Sequence, residues 1–165
     1  MLEYLRQQLE TILEAITQLR MTDENRLRLY EVAIKHLGTD ASPRDEAPDR
    51  LACAETVNEL ICKAYGSYLY DGNRLSTHYL YKALRNSPLY KEVAIPAPGD
   101  IIISPTGFGK NLNMPNGHTG IVMLNGKIAS NDSRTGRFEE NYTIETWRER
   151  YERTGGYIVK LYRRI

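Results

Sequence analysis

The chain has 165 residues, 41% of them hydrophobic and 26% charged, with 22 basic and 21 acidic side chains and a formal net charge of +1. That is about one domain's length with enough apolar side chains for a core, and near-neutrality removes the electrostatic case for a nucleic-acid binder. No run approaches the roughly 18 apolar residues of a membrane span, and two cysteines without a secretory signal exclude a disulfide scaffold.

Leu2, Leu5, Leu9, Ile12, Ile16 and Leu19 alternate spacings of three and four, the seam of a coiled coil or docking helix, and Leu13 widens it. Thr22 or Asp23 caps a second helix, whose Leu27, Tyr30, Ile34 and Leu37 repeat the pattern before Gly38 stops it. Residues 1–37 therefore read as a segment of two helices. They pack on the main domain, or serve docking or self-association through residues 2–19. Residues 38–165 form the second unit, opening with a polar connector over 39–50 that holds two prolines. A helix follows over 52–65, then a loop rich in Tyr and Gly, then a short helix with Ser76 as N-cap that ends before Pro88. Beyond Pro98-Gly99-Asp100 the period changes to strands over 101–104, 118–124, 127–131 and 157–162, and Thr143 caps a last helix through Trp147 and Tyr151. Helices first and a small antiparallel sheet afterwards predict an α+β fold.

Of the two cysteines, Cys53 lies in the first turn of the helix over 52–65, where free amides and the macrodipole favour an anion and lower a thiol's pKa. Cys53, Val57, Leu60 and Ala64 share the face that packs on the sheet. Cys62 lies roughly 13 Å along the helix on its other side, too far for a disulfide, and reads as a packing residue. A nucleophilic cysteine needs a base. His36 sits in the last turn of a helix and His78 near the start of another, whereas His118 opens a strand just after the Gly- and Asn-rich loop 105–117. Asn125-Gly126 is a type I′ hairpin signal that would pair Leu124 with Lys127, Val122 with Ala129, Gly120 with Asn131 and His118 with Ser133. Asn131 then shares a face with His118 and orients the imidazole, with Asp132 as the alternative. Tyr65, Tyr68, Tyr70 and Tyr79 are candidates to line the cleft. The spacing of His and Cys suits no metal, and no cofactor is expected.

Cys53-Ala54-Glu55-Thr56-Val57, Pro98-Gly99-Asp100-Ile101-Ile102-Ile103 and Gly117-His118-Thr119-Gly120-Ile121-Val122 stand in an order that resembles the papain-like cell-wall hydrolases, the CHAP amidohydrolase/peptidases and their NlpC-type relatives. The resemblance covers roughly residues 38–163 and leaves the first helix outside it. It implies a papain-like α+β fold with N-terminal helices packed against a small antiparallel sheet, and hydrolysis of an amide bond in peptidoglycan. Cys53 would be the nucleophile and His118 the base. The third position departs from the commonest patterns, which use Glu with Asn or a second His.

With no export signal, the expected deployment is synthesis in the cytoplasm followed by release or delivery to the cell wall. A phage or prophage lysis enzyme is the first reading. An injected antibacterial amidase toxin is the alternative, as is a non-catalytic binding or virion structural protein on the same scaffold.

Overall fold

The computed structural model describes residues 2–42, 52–110 and 116–165. Helix α1 spans Leu2–His36, α2 Cys53–Tyr65 and α3 Thr77–Asn86. The strands are β1 (Tyr90–Glu92), β2 (Ile101–Ser104), β3 (His118–Val122), β4 (Lys127–Asn131), β5 (Phe138–Thr143) and β6 (Lys160–Arg164), with α4 (Ile144–Trp147) following β5. The strands form one antiparallel sheet in the order β1-β6-β2-β3-β4-β5.

One expectation about the N-terminus changes. There is no break at Thr22 or Asp23: the Thr22 hydroxyl donates to Gln18 O (2.9 Å) inside the helix rather than capping a new one, and Arg26 bridges back to Asp23 at 3.1 Å. The two predicted helices are therefore one helix of 35 residues. Its second half belongs to the core, because Leu29 and Ala33 are fully buried among Ala54, Val57, Leu60, Ile101, Ile103 and Ile121. Most of the connector over 39–50 and the middle of the loop 105–117 lie outside the described residues.

Helix α2 runs through the middle of the protein, buried from Cys53 to Ile61. Among its buried polar residues Glu55, Asn58 and Glu59 are engaged, as burial requires. Ser42 Oγ donates to Glu55 Oε2 (2.5 Å), Asn58 clamps Leu69 N and Tyr70 O, and Glu59 accepts from Tyr68 Oη. One face of the sheet carries Ile101, Ile103, Ile121, Ala129 and Phe138 against the helices, while Ile102, Val122, Ile128 and Leu161 on the other pack on Trp147 and Tyr151. This second layer starts at Thr143, whose hydroxyl accepts from Thr146 N in a reciprocal capping box. The helix then loosens into a π-helical turn over Arg148–Thr154 that carries Tyr151.

The Pro98-Gly99-Asp100 motif is structural. Gly99 turns the chain at φ +90°, and the fully buried Asp100 binds Arg163 of β6 through two 2.8 Å contacts while accepting from Ala97 N at 2.7 Å. Strands β1 and β5 were not legible as strands, and β6 begins at Lys160 rather than near Tyr157.

Candidate active site

The turn at Asn125-Gly126 has the expected positive φ values of 57° and 70°, with Lys127 N bonded to Leu124 O. The next bond, however, runs from Met123 N to Lys127 O (2.8 Å), so Met123 and Leu124 both stand against Lys127 as in a β-bulge. The register becomes Val122 with Ile128, Ile121 with Ala129 and Gly120 with Ser130. A slip of one residue moves every side chain of β4 to the other face. This corrects the predicted pairing of Gly120 with Asn131: Ser130 stands beside His118, and Asn131 joins Ala129 on the opposite face.

His118 Nε2 lies 2.9 Å from Ser130 Oγ, and Ser130 Oγ donates to Asn141 Oδ1 at 2.7 Å. Asn141 reaches Ser130 because β5 has its own bulge. Ile128 pairs with Tyr142 and Ala129 with Glu140, so Asn141 is the extra residue between them. Asn141 in turn hydrogen-bonds the Asp132 carboxylate, and Arg134 closes the chain with contacts to Asp132 of 2.8 Å from its backbone and 3.0 Å from its guanidinium. Chiefly through Arg134, the Asp132 carboxyl is held down at about 2. The predicted alternative orienter thus touches His118 only through Asn141 and Ser130.

This chain of bonds assigns the imidazole tautomer. Ser130 has one hydroxyl proton, which it gives to Asn141, so it accepts from His118 Nε2–H. Nδ1 is left with the lone pair and is the basic nitrogen.

The ring stacks on Trp147 (centroids 5.2 Å apart) and Tyr151 (5.7 Å), with Tyr142 edge-on at 6.0 Å. Trp147 is held by its own bond to Ser104 Oγ at 3.0 Å. Loss of solvent in this cage, helped by Arg150 and opposed by Asp132, pushes the imidazole down to about 4.

Cys53 opens α2 and is 6% exposed. The thiol donates to Gly117 O at 4.0 Å, and the amides of Thr119, Ala54 and Cys53 itself face the sulfur. It therefore rests against the main chain on both sides of His118. The Tyr151 phenol, stacked on the imidazole, is pushed up chiefly by burial, then by Tyr142, with the Cys53 thiolate a minor contributor. The helix start does favour the thiolate, as expected, but burial outweighs it and pushes the thiol up to about 11. Thiol and imidazole are both neutral at pH 7, with no direct hydrogen bond between them.

The remaining candidates separate clearly. Tyr65 lies about 18 Å along α2 from Cys53, where its hydroxyl donates to Asn25 O (2.6 Å) and ties α1 to α2. Tyr68 donates to Glu59 (2.8 Å) under the Arg74 guanidinium, and Tyr70 donates to Asn73 O. These three brace the fold instead of lining a cleft around Cys53. Tyr79 is half exposed, edge-on to His78, which bonds Thr106 O at 3.1 Å; Thr106 Oγ1 in turn accepts from Gly117 N. His36 is engaged by Val32 O and Lys63 at the far end of α2. Cys62 is half-buried and free.

Sequence reasoning missed Ser130, Asn141, Trp147 and Tyr151 as parts of the site. A groove of about 650 Å³, lined by Gly109, Lys110, Glu152 and residues 156–160, adjoins it through Tyr157, whose ring meets Tyr151 at 5.8 Å.

The fold is α+β of the papain-like type. A chain in the crystal structure of the type VI native effector–immunity complex Tae3–Tai3 from Ralstonia pickettii matches it with a TM-score of 0.53 and 19% identity, over 85% of this chain and 98% of that one. At that identity the likeness is one of fold, and it does not single out the CHAP or NlpC-type families. No family model matches the sequence, and no curated protein matches it.

Proposed function

We propose that the protein is a cysteine amidase that cleaves an amide or peptide bond of peptidoglycan and is delivered into rival cells as an antibacterial toxin. The observation that carries the chemistry is the seating of the Cys53 thiol against Gly117 and Thr119, the neighbours of an imidazole whose tautomer is fixed by Ser130 and Asn141. The fold match to an effector–immunity complex favours the toxin reading over the phage-lysis reading.

In this mechanism the thiol leaves Gly117 O and gives its proton to His118 Nδ1 as the sulfur attacks the carbonyl carbon of the bound substrate. Because neither group is charged beforehand, the ion pair forms only during attack. The Asp132 carboxylate, reached through Asn141 and Ser130, then favours the imidazolium, against the desolvation of its cage. The amides of Cys53 and Ala54 receive the oxyanion at the helix start. The C–N bond breaks as Nδ1 returns the proton to the leaving amine. Water then gives a proton to Nδ1, attacks the thioester, and releases the carboxylic acid and the thiol. Ser130, Asn141 and Asp132 act through His118 and are positioning residues. The groove beside Tyr157 accommodates the peptide.

Purified cell walls incubated with the protein should release new amino groups, and Cys53→Ala or His118→Ala should abolish release with an unchanged circular dichroism spectrum. A folded, fully active Cys53→Ala protein would refute the mechanism. An immunity protein that binds the chain and blocks the activity would support the toxin reading, and lysis of the producing cell on expression with a holin would contradict it.

A further inference from the structure

The first half of α1 has no partner within its own chain. Among the described residues of this helix only Thr22, Leu29 and Ala33 are buried, all in its second half. Leu2, Leu5, Leu9, Ile12, Leu13, Ile16 and Leu19 are each more than half exposed, from 51% at Ile16 to 86% at Leu2. At 100° per residue they form one stripe, centred about 120° around the helix from the face that Thr22, Leu29 and Ala33 press into the body. None of these seven side chains is therefore used by the body. A protruding helix of about twenty residues is marginal alone in water, and a contiguous apolar patch of this size marks an interface.

We infer that this stripe pairs with the same stripe of a second copy, as an antiparallel two-helix seam over residues 2–19. Three observations select that occupant. Seam positions Leu2, Leu5 and Leu9 read forward meet Leu19, Ile16 and Ile12 read backward, so the stripe is complementary to its own two-fold image, as an isologous dimer requires. Glu3, Glu10 and Glu14 lie roughly 120–160° around the helix from the stripe and stay on its solvent side, while Arg6, which flanks it, falls opposite Ala15, so no like charges meet across the seam. Fully covered, the exposed apolar side chains would contribute at most roughly 700 Å² per copy, the same order as the 800 Å² or so that each partner buries in a stable interface.

The full chain, studied by light scattering coupled to size exclusion at about 50 μM, should run at twice its 19.0 kDa mass. Leu9→Glu/Ile16→Glu should run as a monomer with unchanged far-ultraviolet circular dichroism from the body and at least a 100-fold weaker dimer dissociation constant. In a Cys53→Ser/Cys62→Ser background, mixing Leu5→Cys with Ile16→Cys chains should give the mixed disulfide. A monomer at every concentration, a dimer that survives the double substitution, or Leu5→Cys bonding only to itself would each overturn the proposal. So would a chain that is monomeric in solution but carried by the stripe onto anionic phospholipid vesicles.

Discussion

Replacing Ser130 by alanine removes the oxygen that receives His118 Nε2–H at 2.9 Å and leaves Asn141 Oδ1 without its 2.7 Å donor. The proton on Nε2 is then no longer fixed, and the imidazole can present Nε2 in place of Nδ1 as its basic nitrogen. Leaving such a donor unsatisfied costs about 1–3 kcal/mol, which corresponds to roughly 5- to 150-fold in rate if the full cost falls on the transition state. Ser130 is fully buried, so water replaces its hydroxyl poorly, and the expected loss is about tenfold or more in kcat/KM. Stacking on Trp147 and Tyr151 survives the substitution, so the ring stays in place and KM should move little. The assay is steady-state release of amino groups from soluble peptidoglycan fragments. Asn131→Ala serves as the control, because Asn131 faces the other side of the sheet; its folded form should keep kcat/KM within about twofold. Full activity in Ser130→Ala, or a loss in Asn131→Ala of equal size, would refute the register argument and the tautomer derived from it.

Other outcomes follow from the same geometry. His118 has a folded-state pKa of about 4 against an ordinary 6.5, so between those values the unfolded chain binds more protons and stability rises with pH. Urea titrations should show a protein less stable at pH 4.5 than at pH 7, by at most about 3 kcal/mol from this group, with a smaller difference in His118→Gln; an unchanged difference would remove His118 as the cause. The acid limb of kcat/KM should fall near pH 4 and the profile stay level through pH 8, since the thiol titrates only at about 11. An acid limb near 6.5 would contradict the caged imidazole. In Gly120→Ala the new methyl would lie 2.6 Å from Ala129 O and 3.0 Å from Ser130 Cβ, prising β3 from β4 where His118 meets Ser130. Calorimetry should show a loss of about 1–3 kcal/mol, with activity falling further than in Ser130→Ala; a wild-type melting temperature would show that the strands tolerate the methyl.

What the sequence disclosed and what it hid follow different physics. Apolar periodicity marked α2, α3, β2, β3 and β4, because each buries a regular stripe, and the cap at Thr143 was readable from local chemistry. Strand β5 was hidden because its Glu139, Glu140 and Asn141 face outward or into the polar chain, so alternation is lost. The continuity of α1 was hidden because Thr22 bonds backward within the helix, a choice the side chain does not announce. The turn at Asn125-Gly126 was correctly typed, yet the adjoining bulge shifted the register by one, which suffices to replace Asn131 by Ser130 beside His118. Asn141 needs two such irregularities to reach the site. The tyrosines sorted by hydrogen bonding: Tyr65, Tyr68 and Tyr70 brace loops and helices, whereas Tyr142 and Tyr151, absent from the expectation, pack against the imidazole. For Cys53, the helix-start argument had the right sign and too small a magnitude against burial.

In the proposed mechanism Cys53 attacks an amide carbonyl in peptidoglycan with His118 as its base. Mass spectrometry of purified cell walls, digested in parallel with the intact protein and with Cys53→Ala, tests it most directly. The expected products are fragments bearing one new amino group and one new carboxyl group, with no new reducing sugar ends and no products from Cys53→Ala. New reducing ends, or the same amide products from Cys53→Ala, would contradict it.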